Sequence, residues 1–200
     1  MIEKILKLEV SIFKKPFTTT KEYIQEKNTL LSIVLILINL GLLTLFIFFL
    51  TKEQIIDIYY WMAGNTESMA RNVKSFSLPT IFLFIGINIC FYSCIFYVGL
   101  ISFPKFLLKL KPKYHQVINL IGINSLISST ILIINIAIFQ ILPLLSLLLF
   151  FLFHLLYLLN LFLGYVMVLQ EKNKSVYIFS LSLFFPLLLF ILINTLKIYL

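Results

Sequence analysis

Long stretches without a single charged residue alternate with short lysine-rich segments along this chain. The first stretch is about Leu30–Leu50, LLSIVLILINLGLLTLFIFFL. The second is about Pro79–Phe103, closed by Pro104 and Lys105. Between Lys113 and Glu171 no Asp, Glu, Lys or Arg occurs. A bilayer core of about 30 Å takes about 20 apolar residues in a helix, so this run is too long for one crossing and right for two. The break is expected at Phe139-Gln140-Ile141-Leu142-Pro143, because proline is tolerated in the first turn of a helix. The spans then read Val117–Phe139 and Pro143–Leu169, and a fifth reads Val176–Leu196 with Pro186 as a kink. Unbroken apolar runs lack the alternation of a membrane barrel, and in lipid a helix satisfies its own backbone. The fold class predicted is all-α: a polytopic helical membrane bundle of five transmembrane helices.

Residues 1–28 form a mixed-polar leader without the layout of a signal peptide. In Met1–Lys15, Ile2, Ile5, Leu6, Leu8, Val10, Ile12 and Phe13 fall on one helical arc and Lys4, Lys7, Lys14 and Lys15 on the other. Glu9 is the exception, set within the apolar arc. This predicts an N-terminal interfacial amphipathic helix on an anionic leaflet, ended by Pro16. Thr19 and Glu22 fit a capping box that would start the next helix. The segment Thr51–Ser77 reads as the one long external segment, where Tyr59, Tyr60 and Trp61 suit an interfacial helix, with an external binding surface as the alternative.

Composition agrees with the pattern. Hydrophobic residues make up 61% and charged residues 12% of the 200, against roughly 25% charged in a soluble domain. That excludes a soluble enzyme, a disordered tail and a disulfide-stapled secreted domain. The net charge of +8 is not a nucleic-acid footprint, because no basic soluble domain exists to carry one. It sets orientation instead. Of the 16 basic residues, 12 lie in the leader, in the connection after the second span and in Lys172–Lys174, which share one side of a five-span chain. The positive-inside rule then places the N-terminus in the cytoplasm and the C-terminus outside a multi-pass cell membrane protein.

Chemistry is sparse within the spans. None holds Asp, Glu, Lys or Arg, which speaks against proton-coupled transport. No metalloprotease, phosphate-loop, dinucleotide or nucleophile-elbow motif occurs. No catalytic residue, metal site or cofactor is expected, and the chain reads as a non-enzyme. Cys90 and Cys94 read as small packing residues, and Asn173-Lys174-Ser175 as a glycosylation match on the wrong side. Gly86, Cys90 and Ser93 share a face of the second span with Tyr97, and Asn124, Ser128 and Asn135 share a face of the third. Such small and amide-bearing faces suit helix packing or a membrane-protein partner, the same chain included. The lesser alternative is a solute path, joined by a polar patch of His154 with Tyr157 and Asn160 in the fourth span.

Three segments carry a family resemblance. Phe13-Lys14-Lys15-Pro16-Phe17 is followed by Tyr23-Ile24-Gln25-Glu26 just before the first span. Tyr114-His115-Gln116-Val117-Ile118-Asn119-Leu120-Ile121-Gly122 enters the third span. Phe162–Gly164 runs on to Gln170 and through Lys172-Asn173-Lys174-Ser175 into the last span. With these the chain resembles the Yip domain family, five-span membrane proteins first known as interactors of Rab GTPases. Lys111-Pro112-Lys113 stands where that family has a glycine-rich stretch, and Ser128 near the place of a usual proline. The resemblance implies a non-enzymatic scaffold or accessory subunit of a membrane transport or trafficking system. Richness in Ile, Lys, Asn and Phe points to a bacterial chain. The alternative is a small transporter or channel subunit with a polar path beside Asn124, Asn135 and His154.

Overall fold

The structure, a computed structural model, describes residues 2–63, 78–110 and 112–199. Among these residues it is all helix: α1 (Ile2–Lys14), α2 (Pro16–Gln25), α3 (Leu30–Ala63), α4 (Leu78–Leu108), α5 (Tyr114–Phe139), α6 (Pro143–Leu169) and α7 (Lys172–Tyr199). Four segments are long and apolar enough to cross a membrane: Leu30–Thr51, Pro79–Leu108, Tyr114–Phe139 and Pro143–Leu169. The chain is therefore a helical membrane protein in its architecture. The turn between α5 and α6 occupies residues 140–142, with Pro143 opening α6 where its missing N–H costs nothing.

α5 is the central rod. It packs against α2, α3 and α6, while α4 pairs with α7 and α3. α3 and α5 run in the same direction, since Ser32 meets Asn119 and Asn39 meets Ser129. They approach closely because Gly122 presents no side chain to Ser32: a Cβ there would lie 2.5 Å from the Ser32 Cβ and 2.6 Å from its Cα. Around them Leu100, Val117, Leu120, Leu161 and Ile178 are fully enclosed, and Phe46 stacks on Phe150 at 4.7 Å.

Several elements differ from the sequence reading. α3 does not stop at Leu50 but continues to Ala63, so the first half of Thr51–Ser77 is helix and residues 64–77 lie outside the described residues. The apolar run ends there; the helix does not, since Lys, Glu and Gln are good helix formers. Thr19 and Glu22 do not cap a new helix. α2 already starts at Pro16, and Thr19 sits inside it, donating its hydroxyl to the Ser11 carbonyl of α1 at 3.1 Å.

α4 likewise runs through Pro104 to Leu108. A proline inside a helix leaves the carbonyl four residues earlier without a donor, here that of Leu100. The buried Tyr165 hydroxyl of α6 donates to this oxygen at 2.7 Å, which repairs the defect at membrane depth. Tyr165→Phe is expected to leave the Leu100 carbonyl unsatisfied and to cost about 1–2 kcal/mol, read as a lower unfolding temperature in detergent. An unchanged midpoint would mean that the proline defect is tolerated without this bond.

Candidate functional site

Two polar centres occupy the bundle. The first ties the leader to the spans. Tyr23 of α2 donates its hydroxyl to Ser32 Oγ at 2.9 Å, and Ser32 donates onward to Asn119 Oδ1 at 2.6 Å. Asn119 Nδ2 returns to the carbonyls of Tyr23 at 3.2 Å and Glu26 at 2.7 Å. Every polar atom of the Asn119 side chain is thus engaged, and Ser32 and Asn119 are fully buried. Burial holds the Tyr23 hydroxyl above the ordinary tyrosine pKa, against the opposing Ser32 bond and with a smaller push from Glu26. Satisfied networks of this kind specify one arrangement, so this centre reads as a structural clamp.

The clamp orients α1 and α2 as a hairpin along the bundle. Ile12 is buried with Tyr23, Leu31, Leu35, Ile123 and Leu126, and Ile5 and Leu8 pack on the same cluster. The apolar arc of α1 is therefore largely spent on protein, with Leu6 and Val10 left exposed. Glu9, the misfit of the sequence pattern, accepts a hydrogen bond from Thr130 Oγ1 of α5 at 2.6 Å. Lys105, near the end of α4, is the one charged residue within the four apolar segments, yet the leader brings a carboxylate against another of them.

The second centre is a half-open cavity of about 240 Å³ lined by α3, α4, α5, α6 and α7. Its polar lining comes from Asn39, Tyr92, Ser93, Tyr97, Ser128, Asn135, His154 and Tyr157. Ser93 is the middle residue of the 31-residue α4, which puts the cavity near the midplane of any membrane the helix crosses. The Tyr97 and Tyr157 hydroxyls stand 3.4 Å apart. His154 stacks between Phe150 and Tyr157, at centroid distances of 5.7 and 5.9 Å, and is exposed. Asn39 accepts a long bond of 3.4 Å from Ser129.

Asn135 stands apart. It is 1% exposed, lines this cavity, and neither its Nδ2 nor its Oδ1 has a partner among the described residues. A buried amide without partners costs about 1–3 kcal/mol. The cost falls on a group in the cavity wall whose amide atoms are themselves closed off from water-sized space.

The residues singled out in the sequence divide accordingly. Ser93, Ser128, Asn135 and His154 meet at the cavity. Asn124 does not; its Nδ2 turns back to the Leu120 carbonyl of its own helix at 2.9 Å. Gly86 faces Thr44 of α3, where an added Cβ would lie 3.2 Å from Thr44 Cγ2. Cys90 is a free, exposed thiol, as is Cys94. Sequence reasoning missed Asn119 and Tyr23, although an amide in the first turns of an apolar span is itself a signal. It also left Asn39 and Tyr92 out of the polar set. No group of three His, Cys, Asp or Glu able to hold a metal ion occurs among the described residues. No protein-family model, curated protein or solved structure matches the chain.

Proposed function

We propose that this chain is a five-span membrane protein that takes a small, uncharged, hydrogen-bonding solute into its central cavity, as a small transporter or channel subunit. The observation that carries this reading is Asn135, a buried amide in the cavity wall with no partner among the described residues. Its amide offers one donor group and one acceptor. Ser93, Ser128, Tyr92, Tyr97 and Tyr157 line the same cavity, and among the described residues no Asp, Glu, Lys or Arg does. A neutral solute pays no Born cost to enter such a site, whereas an ion pays heavily. The volume lies just under the roughly 300–1,000 Å³ of pockets for drug-sized ligands, which sets the solute small.

The fifth crossing is α7, a 28-residue helix packed on α4 and α6 whose residues 175–192 carry no charge. With the lysine distribution it supports an N-terminus inside and a C-terminus outside. Single cysteines placed at Lys4 and Lys197 in a chain lacking Cys90 and Cys94 are expected to react with an impermeant maleimide from opposite sides; labelling from one side would remove the fifth crossing.

For the cavity, proteoliposomes challenged with glycerol or acetamide are expected to re-swell faster than protein-free vesicles, with the gain lost in Asn135→Leu. Equal rates with and without protein would overturn the solute reading. The scaffold or accessory role that the Yip-like resemblance implies takes second place. The small-residue contacts that would serve a partner are spent internally: Gly86 on Thr44, Gly99 on Ser182, Gly122 on Ser32 and Gly164 on Leu120. A defined membrane-protein partner co-purifying in mild detergent, with no solute flux, would restore it.

A further inference from the structure

The leader hairpin carries a second site, on the face turned away from the bundle. α1 and α2 are drawn together by the Lys4–Glu26 ion pair at 3.3 Å and the bond from Thr19 Oγ1 to the Ser11 carbonyl at 3.1 Å. Between them lies a groove of about 660 Å³ lined by Lys4, Lys7, Lys14, Lys15, Glu22 and Glu26, with the hydroxyls of Ser11, Thr18 and Thr19. Its charges are not balanced. Lys4 is paired to Glu26, and Lys7 to Glu3 at 2.7 Å. Among the described residues no ion pair within 4.0 Å engages Lys14 or Lys15, and none engages Glu22.

The position of this groove is independent of its charge. On the opposite face of the hairpin, Glu9 is fixed to Thr130, 16 residues past the start of α5 at Tyr114. At about 1.5 Å per residue that is about 24 Å along the helix, and Ile12 is buried beside Leu126. The lysine pair follows Ile12 by two and three residues. The groove therefore lies on the outer flank of the bundle, turned away from the packed spans. Lysines on such a flank suit an anion, and the abundant anion at the edge of a bilayer is the lipid phosphate.

We propose that the α1–α2 groove binds the headgroup of an anionic, hydroxyl-bearing phospholipid of the phosphatidylglycerol type. Its phosphodiester sits on Lys14 and Lys15, where charge-assisted hydrogen bonds form. Its glycerol hydroxyls donate to the free Glu22 carboxylate. Its acyl chains lie over Leu6 and Val10, two exposed apolar residues of α1. This site is separate from the cavity and does not depend on solute binding there.

The test uses the full chain in nanodiscs of phosphatidylglycerol or of phosphatidylcholine with the same acyl chains. Native mass spectrometry after partial delipidation counts retained lipid. Wild type is expected to keep phosphatidylglycerol at least tenfold better than phosphatidylcholine. Lys14→Gln/Lys15→Gln is expected to lose that preference. Lys105→Gln/Lys109→Gln, which removes the same charge from two exposed lysines after the second span, is expected to keep it. Glycerol 3-phosphate added at millimolar concentration is expected not to displace the lipid. Equal retention of both lipids overturns the proposal, and so does equal loss in the two double variants, which would mean diffuse charge attraction. Full displacement by glycerol 3-phosphate would assign the groove to a soluble phosphate ester instead. Lys14→Arg/Lys15→Arg is expected to rescue retention, which separates loss of the site from loss of fold.

Discussion

Gly122→Ala is expected to destabilise the protein more than any other single-methyl change in the spans. The added Cβ would lie 2.5 Å from Ser32 Cβ and 2.6 Å from Ser32 Cα. One of these atoms is backbone of α3, so relief requires two long helices to move apart, not a rotamer change. Overpacking of a core typically costs about 1–3 kcal/mol, and a backbone collision belongs at the upper end, about 3 kcal/mol. At this chain length that corresponds to a fall on the order of 10 °C in the unfolding midpoint. Displacing Ser32 also opens its bonds to Tyr23 and Asn119, so the leader hairpin is expected to become protease-sensitive at temperatures where wild type resists. Gly164→Ala is the matched control. Its new Cβ meets Leu120 Cδ1, the far end of a flexible side chain, and a cost of about 1 kcal/mol or less is expected. Equal effects of the two changes would mean that α3 and α5 do not approach as closely as Gly122 and Ser32 require.

The contrast also shows what patterning conveys. Apolar runs reveal helices and their rough ends because lipid demands about 20 apolar residues per crossing, and Pro143 marks its turn for a local reason. The same logic misplaces the end of α3, since Lys52, Glu53 and Asp57 end an apolar run without ending a helix. It also misplaces the end of α4, since whether Pro104 stops a helix depends on Tyr165, 61 residues away. The polar faces follow the same division. Spacing puts Asn124 and Asn135 on one side of α5, but only the neighbours decide that one folds back on its own backbone while the other is buried without a partner among the described residues. Glu9 was visible as an anomaly, and its partner Thr130 was not, because 121 residues separate them.

Asn135 decides between structure and function, and the sign of its effect is the diagnostic. Asn135→Leu keeps the same branching and heavy-atom count and removes two buried polar atoms that have no partner among the described residues. For a group held only for packing, polar-to-apolar replacement at such a site is neutral or favourable. The ligand-free protein is therefore expected to gain about 1–2 kcal/mol, read as a rise in the unfolding midpoint in detergent. The same change is expected to abolish solute passage, since the leucine leaves the incoming hydroxyl or amide desolvated and unpaired. Stability gained while function is lost is the signature of a residue retained for a ligand. Ser128→Ala, on the same wall but only partly buried, is expected to shift both measurements in the same directions by less. A loss of stability in Asn135→Leu, with flux unchanged, would make Asn135 a structural residue and move the search for a function to the leader hairpin.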